Sequence, residues 1–323
     1  MSLLKLWFTQ ALRSFWVIFK IMLPVSIIVK FLQLTGLISV IGNVLAPLME
    51  LMGLPGEMGI VWASTMLSNI YGGMITLFSI GGNLQLTVAQ ITVLASIMLA
   101  AHTFPVELLV ARKAGIKMLP QFILRFGFGL FIGFTLFHFY RFFGLYTQVP
   151  LVSQIFETPE NDTLGIWLLN EIKNYGIVFL IIFSLSTLMD ILKRIGWLDK
   201  FSKILEPILG ALGISRKVIP ITVIGLTLGI AYGGALIIEE ARTQTIAKKD
   251  IFYAFVLMSL CHSIIEDSLL MMSIGASFTG VFVARCLFAF SIAWGIVRCT
   301  KKMSDTKFNQ WFIVCSKKKI EKN

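Results

Sequence analysis

The sequence predicts an all-α membrane protein assembled as an inverted repeat of two halves, each with three transmembrane helices, an interfacial helix and a re-entrant hairpin. Three observations lead there. The 323 residues are 57% hydrophobic and only 14% charged, with a mean hydropathy of +0.85, more apolar surface than a water-soluble domain of this size can bury. Several apolar runs reach the roughly 20 residues a helix needs to cross a bilayer, and the alternating strands of a membrane barrel are missing from the sequence. The second half of the chain also repeats turn and polar residues of the first at a fixed spacing.

The first span is expected over 14–35, interrupted by Lys20, Pro24 and Lys30. It follows Lys5 and Arg13 as a signal peptide would, but it runs to Leu34 without a small-residue cleavage site and reads as uncleaved. From Gly36 to Gly53 a shorter helix, carrying Pro47 and Glu50, is expected along the interface. Residues 57–82 hold Asn69-Ile70-Tyr71-Gly72-Gly73, where paired glycines permit the positive φ of a tight turn, so a re-entrant hairpin is expected. The run from Leu84 to Val110 contains His102 and Glu107 on either side of Pro105. An ionisable group at the centre of a span costs about 2.5 to 3.5 kcal/mol, so it faces a cavity or a partner. Proline lacks an N–H and disfavours helix in the residue before it, which places a break at Phe104. Leu119 to Tyr140 is the third span, with Arg125 inside and Arg141 closing it, and 142–170 reads as a polar loop with Glu157, Glu160 and Asp162.

The pairs Gly36 and Gly196, Pro47 and Pro207, Gly53 and Gly213, His102 and His262, Gly115 and Gly275, and Arg125 and Arg285 are each 160 positions apart. Glu107 is matched by Asp267, whereas Tyr232-Gly233-Gly234 follows Tyr71-Gly72-Gly73 by 161, a slip of one residue. Residues Trp197 to Leu212 place Leu198, Phe201, Ile204, Leu205, Ile208 and Leu212 on one helical face, as an interfacial helix requires. If each Gly-Gly hairpin enters and leaves on one side, each half crosses three times. The basic clusters at Lys5 and Arg13, Arg112 to Lys117, Lys193 to Lys217, Arg242 to Lys249 and Arg298 onward then share the cytoplasmic side. Three crossings per half make the halves, 1–160 and 161–300, opposite in orientation, with both termini cytoplasmic. A basic tail, 301–323, carries Trp311, Phe312 and Ile313 and is expected to anchor on lipid.

The net charge of +11 sits in these clusters between spans, which indicates topology and not nucleic-acid binding. Cys261, Cys286, Cys299 and Cys315 lack CxxC spacing and are expected as free thiols. The hairpins would bring Asn69, Tyr71, Gly72, Gly73, Tyr232, Gly233 and Gly234 to a solute at the midplane, with Arg125 and Arg285 as intramembrane cations. For Arg125 snorkelling to the interface is the alternative, and for the glycines close helix packing. His102, Glu107, His262, Glu266 and Asp267 are the candidates for ion or proton coupling. Three readings stay open for them: local capping of helix breaks, proton exchange by imidazoles whose unperturbed pKa is about 6.5, and a divalent metal site, although the five-residue His-to-acid spacing is not a recognised metal motif. Glu239 and Glu240 lack acidic counterparts in the first half and read as a solvated helix end, and His138 as an interfacial residue. No GxxxxGK[ST] loop occurs, and Cys261 and Ser263 flank His262 on different helix faces, so neither an enzyme nor a cofactor is expected. The expected partners are the lipid bilayer and a small-molecule or ion substrate, with a homo-oligomer left open.

Leu54-Pro55-Gly56-Glu57 leading into Asn69-Ile70-Tyr71-Gly72-Gly73, and Ile230-Ala231-Tyr232-Gly233-Gly234 followed by His262-Ser263-Ile264-Ile265-Glu266-Asp267, resemble the nucleoside recognition or Gate family. That family's domain is similar to those of bacterial spore maturation proteins, the membrane part of ferrous iron transporter B and, more distantly, the concentrative nucleoside transporters. The resemblance covers nearly the whole chain as two Gate-like halves. It implies an inner-membrane transporter or channel-like protein with opposed hairpins around a central site; the leading expectation is a bacterial inner-membrane secondary transporter of a small polar solute, such as a nucleoside or related metabolite, coupled to H⁺ or Na⁺ and working by alternating access. A divalent metal permease and a non-transporting membrane interaction protein are the alternatives it leaves.

Overall fold

The structure is a computed structural model that describes residues 3–80, 84–150, 163–243 and 245–314. Among the described residues there is no strand, only an isolated bridge between Ile116 and Ile313. The helices are α1 Leu3–Leu34, α2 Leu37–Glu50, α3 Met58–Leu67, α4 Ile70–Ile80, α5 Val88–Ala100, α6 Phe104–Lys113, α7 Met118–Phe143, α8 Leu164–Arg194, α9 Trp197–Ala211, α10 Ile219–Leu228, α11 Ile230–Thr243, α12 Lys248–Cys261, α13 Ile264–Ser273, α14 Arg285–Lys301 and α15 Asp305–Phe312, with a π-helical turn Thr279–Ala284 leading into α14. Among the described residues, six segments are long and apolar enough to cross a membrane: α1, α5 with α6, α7, α8, α12 with α13, and the π turn with α14. The protein is an all-helical membrane protein.

Two expected boundaries move outward. The first helix starts at Leu3 and not at 14, because Lys5 and Arg13 interrupt hydropathy without interrupting helix. At 32 residues it is about 48 Å long, beyond the hydrocarbon thickness. Likewise α8 begins at Leu164, inside the stretch read as a loop, capped by the Thr163 hydroxyl on the Ile166 N–H. Glu157, Glu160 and Asp162 lie outside the described residues.

The 160-residue register is written into the backbone. Gly36, Gly53 and Gly115 have positive φ, and so do their counterparts Gly196, Gly213 and Gly275. Each ends a helix: after α6, for example, Ile116 N–H reaches back to Ala111 O and Gly115 N–H to Arg112 O, and after α13 Ala276 N–H reaches Met271 O and Gly275 N–H reaches Met272 O. This left-handed C-cap satisfies carbonyls that the helix itself leaves unpaired, and glycine adopts it without a Cβ penalty.

Contacts divide the chain into two compact units, one of Met1–Phe104, Phe126–Asp199 and Ile264–Cys286, the other of Pro105–Arg125, Lys200–Ser263 and Leu287–Asn323. In the first, α1 and α8 run antiparallel. Trp7 near the start of α1 donates to Asp190 near the end of α8 at 2.7 Å, while Lys30 near the end of α1 lies over the ring of Trp167 near the start of α8. Phe15 packs edge-on to Phe179 and Phe19 to Tyr175 between them. The short helices α3 and α4 form a hairpin against α1 and α5, pinned by the Trp62 indole on Ile97 O at 3.0 Å. At 10 and 11 residues each arm is about 15 Å long, half of what a crossing needs.

In the second unit α10 and α11 form the corresponding hairpin against α12. The described part of the basic tail differs from the expected lipid anchor. It folds as α15, buries Phe308 edge-on to Phe252, pairs Asp305 with Lys249 at 2.7 Å and ties its end to the loop before α7 through Lys117 N–H to Phe312 O and Val314 N–H to Gly115 O. The apolar residues read as membrane contacts include Phe312 and Ile313, whose backbones serve this docking; Trp311 alone of the three is exposed. Cys261, Cys286 and Cys299 are thiols not joined in a disulfide, and Cys315 lies outside the described residues.

Candidate functional site

The spans that carry His102 and His262 are broken, and they are the most buried: 67% and 72% of their apolar windows are buried against 17% in α1 and α8 and 33% in α7, the unbroken span that holds His138. In the first, α5 is entered through a capping box of Thr87 and Gln90 and stops at Ala100. Thr103 takes φ +51° and donates its N–H to Thr65 O on the hairpin arm α3 at 3.0 Å. His102 Nδ1 lies 3.1 Å from Met98 O and from Leu99 O, carbonyls in the last turn of α5. The break therefore falls at Ala101 to Thr103, not at Phe104, which opens α6. Pro105 sits in the first turn of that helix, where a missing N–H leaves nothing unpaired.

The second span breaks in the same way without a proline. After α12, Ser263 takes φ +46° and its N–H meets Gly225 O on the hairpin arm α10 at 3.5 Å, while His262 Nδ1 lies 2.9 Å from Met258 O. A carbonyl can only accept, so Nδ1 of each histidine carries the hydrogen, and the imidazole caps the helix it ends.

The half-helices that restart beyond the breaks carry the carboxylates in their first turns, Glu107 on α6 and Glu266 with Asp267 on α13. The N-terminal end of a helix dipole favours negative charge there. In the second unit Glu107 Oε2 meets Arg125 Nη1 at 2.7 Å, with the arginine 1% exposed. The snorkelling alternative for Arg125 is thereby excluded. Glu107 Oε1 lies 3.6 Å from His262 Nε2. In the first unit Asp267 Oδ2 stands 3.9 Å from Arg285 Nη2, the arginine again 1% exposed.

The hairpin tips depart from the expected tight glycine turns. Gly72 and Gly73 are helical in α4, and neither has positive φ; the link from α3 is Ser68-Asn69, and Asn69 caps α4 by accepting the Gly72 N–H at 2.8 Å. In the second hairpin the turn residue is Gly229, at φ +91°, which the sequence reading did not single out. The glycines instead permit close packing. A Cβ on Gly73 would stand 1.8 Å from Thr65 Oγ1 and 2.8 Å from Met98 Cε; one on Gly233 would stand 2.5 Å from Gly225 Cα and 2.6 Å from Met258 Cε. Thr65 and Gly225, and Met98 and Met258, are each 160 apart, so Gly73 corresponds to Gly233 and the apparent slip of one residue does not exist in three dimensions. Tyr232 then occupies the place of Gly72, not of Tyr71, and it is 63% exposed while Tyr71 is half-buried. Gly234 packs on Val110.

One polar cluster was missed. Glu171 on α8, 3% exposed, accepts from Ser26 Oγ of α1 at 3.0 Å and from Ser79 Oγ of the hairpin arm α4 at 2.9 Å, and Tyr175 OH donates to Ser26 Oγ at 2.8 Å. Its position 160 before, Ala11, is apolar, so the repeat gave no signal for it; the signal available was an acid inside an otherwise apolar run. Glu239 pairs with Arg242 on an exposed helix face, and Glu240 accepts from Thr245, as a solvated helix end should.

The nucleoside recognition family model matches residues 15–144 and again 176–293, two segments that fall one in each half of the repeat. An uncharacterized membrane protein of Bacillus subtilis strain 168, YvoD, is 26% identical over 294 residues, covering 90% of this chain and 92% of that protein. No solved structure matches. With the family model spanning most of the chain, the protein belongs to the nucleoside recognition (Gate) family of membrane proteins.

Proposed function

We propose that the protein is a bacterial inner-membrane secondary transporter of a small polar solute, coupled to H⁺ by its buried histidine and carboxylate pairs and working by alternating access of two inverted halves. The antiparallel run of α1 and α8, whose Trp7 and Trp167 are 160 apart, supports the inversion. The observation that carries the coupling is the approach of His262 to Glu107. Because Nδ1 donates to Met258 O, a neutral ring turns its Nε2 lone pair toward the Glu107 carboxylate at 3.6 Å, acceptor against acceptor. A proton on Nε2 converts that repulsion into an ion pair, and imidazole is the side chain able to carry or release such a proton without covalent chemistry. Arg125 holds the other carboxylate oxygen, so Glu107 stays in place whichever protonation state the ring has. In this reading Tyr71, Asn69, Tyr232 and Arg285 face the solute, His102, Glu266 and Asp267 serve the equivalent step in the other half, and the protein carries out no covalent chemistry.

The same pair favours a second reading, a divalent metal permease. Two donor atoms each about 2.0 to 2.1 Å from a tetrahedral ion lie about 3.4 Å apart, close to the observed 3.6 Å.

Thermal stabilisation of purified protein by uridine, adenosine, small organic anions, Zn²⁺ and Mn²⁺, followed by uptake of the stabilising compound into proteoliposomes under an imposed pH gradient, tests both. Saturable, pH-driven uptake that is lost in His262→Ala and Asp267→Asn supports the transporter. Stabilisation by metal alone, lost in His262→Ala, shifts the assignment to the permease. Uptake at wild-type level in both variants removes the pairs from the mechanism.

A further inference from the structure

The backbone reaches Arg125 and Arg285 in two different ways. The stretch from Gly115 to Arg125 is as long as that from Gly275 to Arg285. In the second unit the approach to Arg125 is regular α-helix from Met118, whereas in the first unit the approach to Arg285 is the π-helical turn Thr279–Ala284. Such turns are rare and recur at functional sites. With chain lengths equal, side chains must select the turn.

The selection is visible at one carbonyl. An α-helix would give the Arg285 N–H to Val281 O. Here that N–H is shared between Gly280 O and Phe282 O, and Val281 O accepts from Ser268 Oγ of α13 at 3.1 Å. Ser268 is 2% exposed, and Val281 O is the one acceptor of its hydroxyl hydrogen among the described residues. Other helical serines turn back on their own helix, as Ser96 does to Thr92 O and Ser291 to Leu287 O. Ser268 crosses to the next element instead. The residue 160 positions before it is Leu108, whose side chain has nothing to donate, and the helix there is regular.

The near end of the turn is held as well. Ser277 N–H donates to Thr92 Oγ1 of α5 at 2.7 Å, Thr279 Oγ1 lies 3.2 Å from Tyr140 OH, and a Cβ on Gly280 would stand 2.2 Å from Thr92 Cγ2. With that end fixed, a change of hydrogen-bond register inside the turn is passed on to Arg285, each residue of register amounting to about 100° of rotation and 1.5 Å of rise. Arg285 is 1% exposed and stands 3.9 Å from Asp267, the residue before Ser268.

We propose that Ser268 is a positioning residue of the candidate site: by taking Val281 O it holds the π turn, and the π turn sets Arg285 against Asp267. Any role of Arg285 toward a solute rests on the transport reading above; its placement by Ser268 does not, so the test reads structure and not uptake. The Nε–H resonance of Arg285 in protein labelled with ¹⁵N-arginine, identified by its loss in Arg285→Met, should move in Ser268→Ala. It should stay in place in Ser291→Ala, which removes a hydroxyl bonded within α14 alone. Unfolding midpoints give a second readout. Ser268→Ala should lower the midpoint, and lower it distinctly less when Arg285→Met is already present, because there is then no guanidinium to place. A hydroxyl that merely joins α13 to the turn would cost the same in both backgrounds, and that result overturns the proposal. So does an Arg285 resonance that Ser268→Ala leaves unmoved, or one that moves as far in Ser291→Ala.

Discussion

Glu107 with Arg125 and Asp267 with Arg285 hold the same places in the two halves of the repeat, yet the first pair closes to 2.7 Å and the second stands at 3.9 Å. Aspartate is one methylene shorter than glutamate, and with the arginine anchored on a neighbouring helix that methylene goes uncompensated. Glu107 also faces His262 and is nearly inaccessible, whereas Asp267 is partly exposed and has Glu266 beside it. The backbone repeats its breaks and left-handed glycines at a spacing of 160 while the side chains have diverged, leaving a tight charge cluster in one unit and a looser acidic one in the other. If the proposed transport function holds, such a difference lets the two pairs take different tasks.

The largest effect that tests this contrast is expected from Arg125→Ala. It leaves Glu107 buried without its cation, and breaking a buried pair from one side destabilises by about 3 to 5 kcal/mol. Denaturation midpoints of detergent-purified protein should fall accordingly. Glu107→Gln in the same chain should recover part of the loss, because the stranded charge is then removed. Arg285→Ala should cost distinctly less, since Asp267 can be hydrated. Equal losses would show that the distance difference has no energetic meaning.

The hairpins give the next contrast. Gly233→Ala drives a Cβ into the backbone of Gly225, whose Cα at 2.5 Å and N at 2.9 Å cannot swing away, and overpacking of this kind costs about 1 to 3 kcal/mol. The equivalent Gly73→Ala meets only side chains, Thr65 Oγ1 and Met98 Cε. It should be milder, and Thr65→Ala should relieve it further by removing the nearest atom. No second-site change at 225 offers the same relief, since that residue is already glycine. A Gly73→Ala loss as large as that of Gly233→Ala would mean that the first hairpin is as rigid as the second.

The repeat, the six spans and the buried histidine and acid pairs were legible because hydropathy, charge and glycine recur at 160, and each of these follows from a local rule. What escaped has a common physical origin. The slip at Tyr232 came from matching residue types, whereas space at the helix crossing fixes the register: Gly73 and Gly233 are equivalent through Thr65, Met98, Gly225 and Met258, which no alignment of Tyr-Gly-Gly to itself reveals. Gly229 was overlooked beside the more conspicuous pair that follows it, although its positive φ makes the turn. Docking of α15 depends on Phe308 meeting Phe252, more than fifty residues away, and pairings of that range leave no periodic trace. The Glu171 cluster likewise draws on three helices.

The smallest effect is expected where the sequence seemed most explicit. Pro105 is exposed in the first turn of α6, and the second half makes the same break with Ile265 in its place. The break instead rests on the left-handed residue after each histidine, on the imidazole cap, and on the N–H bond to the hairpin, Thr103 to Thr65 O in one half and Ser263 to Gly225 O in the other. Pro105→Ala therefore removes neither a contact nor a hydrogen bond, and only the entropy of the unfolded chain changes, by about 0.4 to 1 kcal/mol. Hydrogen exchange separates the two accounts of the break. With the break held by the hairpin, the Thr103 amide stays protected in Pro105→Ala and those of Val106 and Glu107 exchange as before. With the break made by proline, α5 and α6 fuse in the variant, Val106 and Glu107 gain helical protection, and the Thr103 bond to Thr65 is lost.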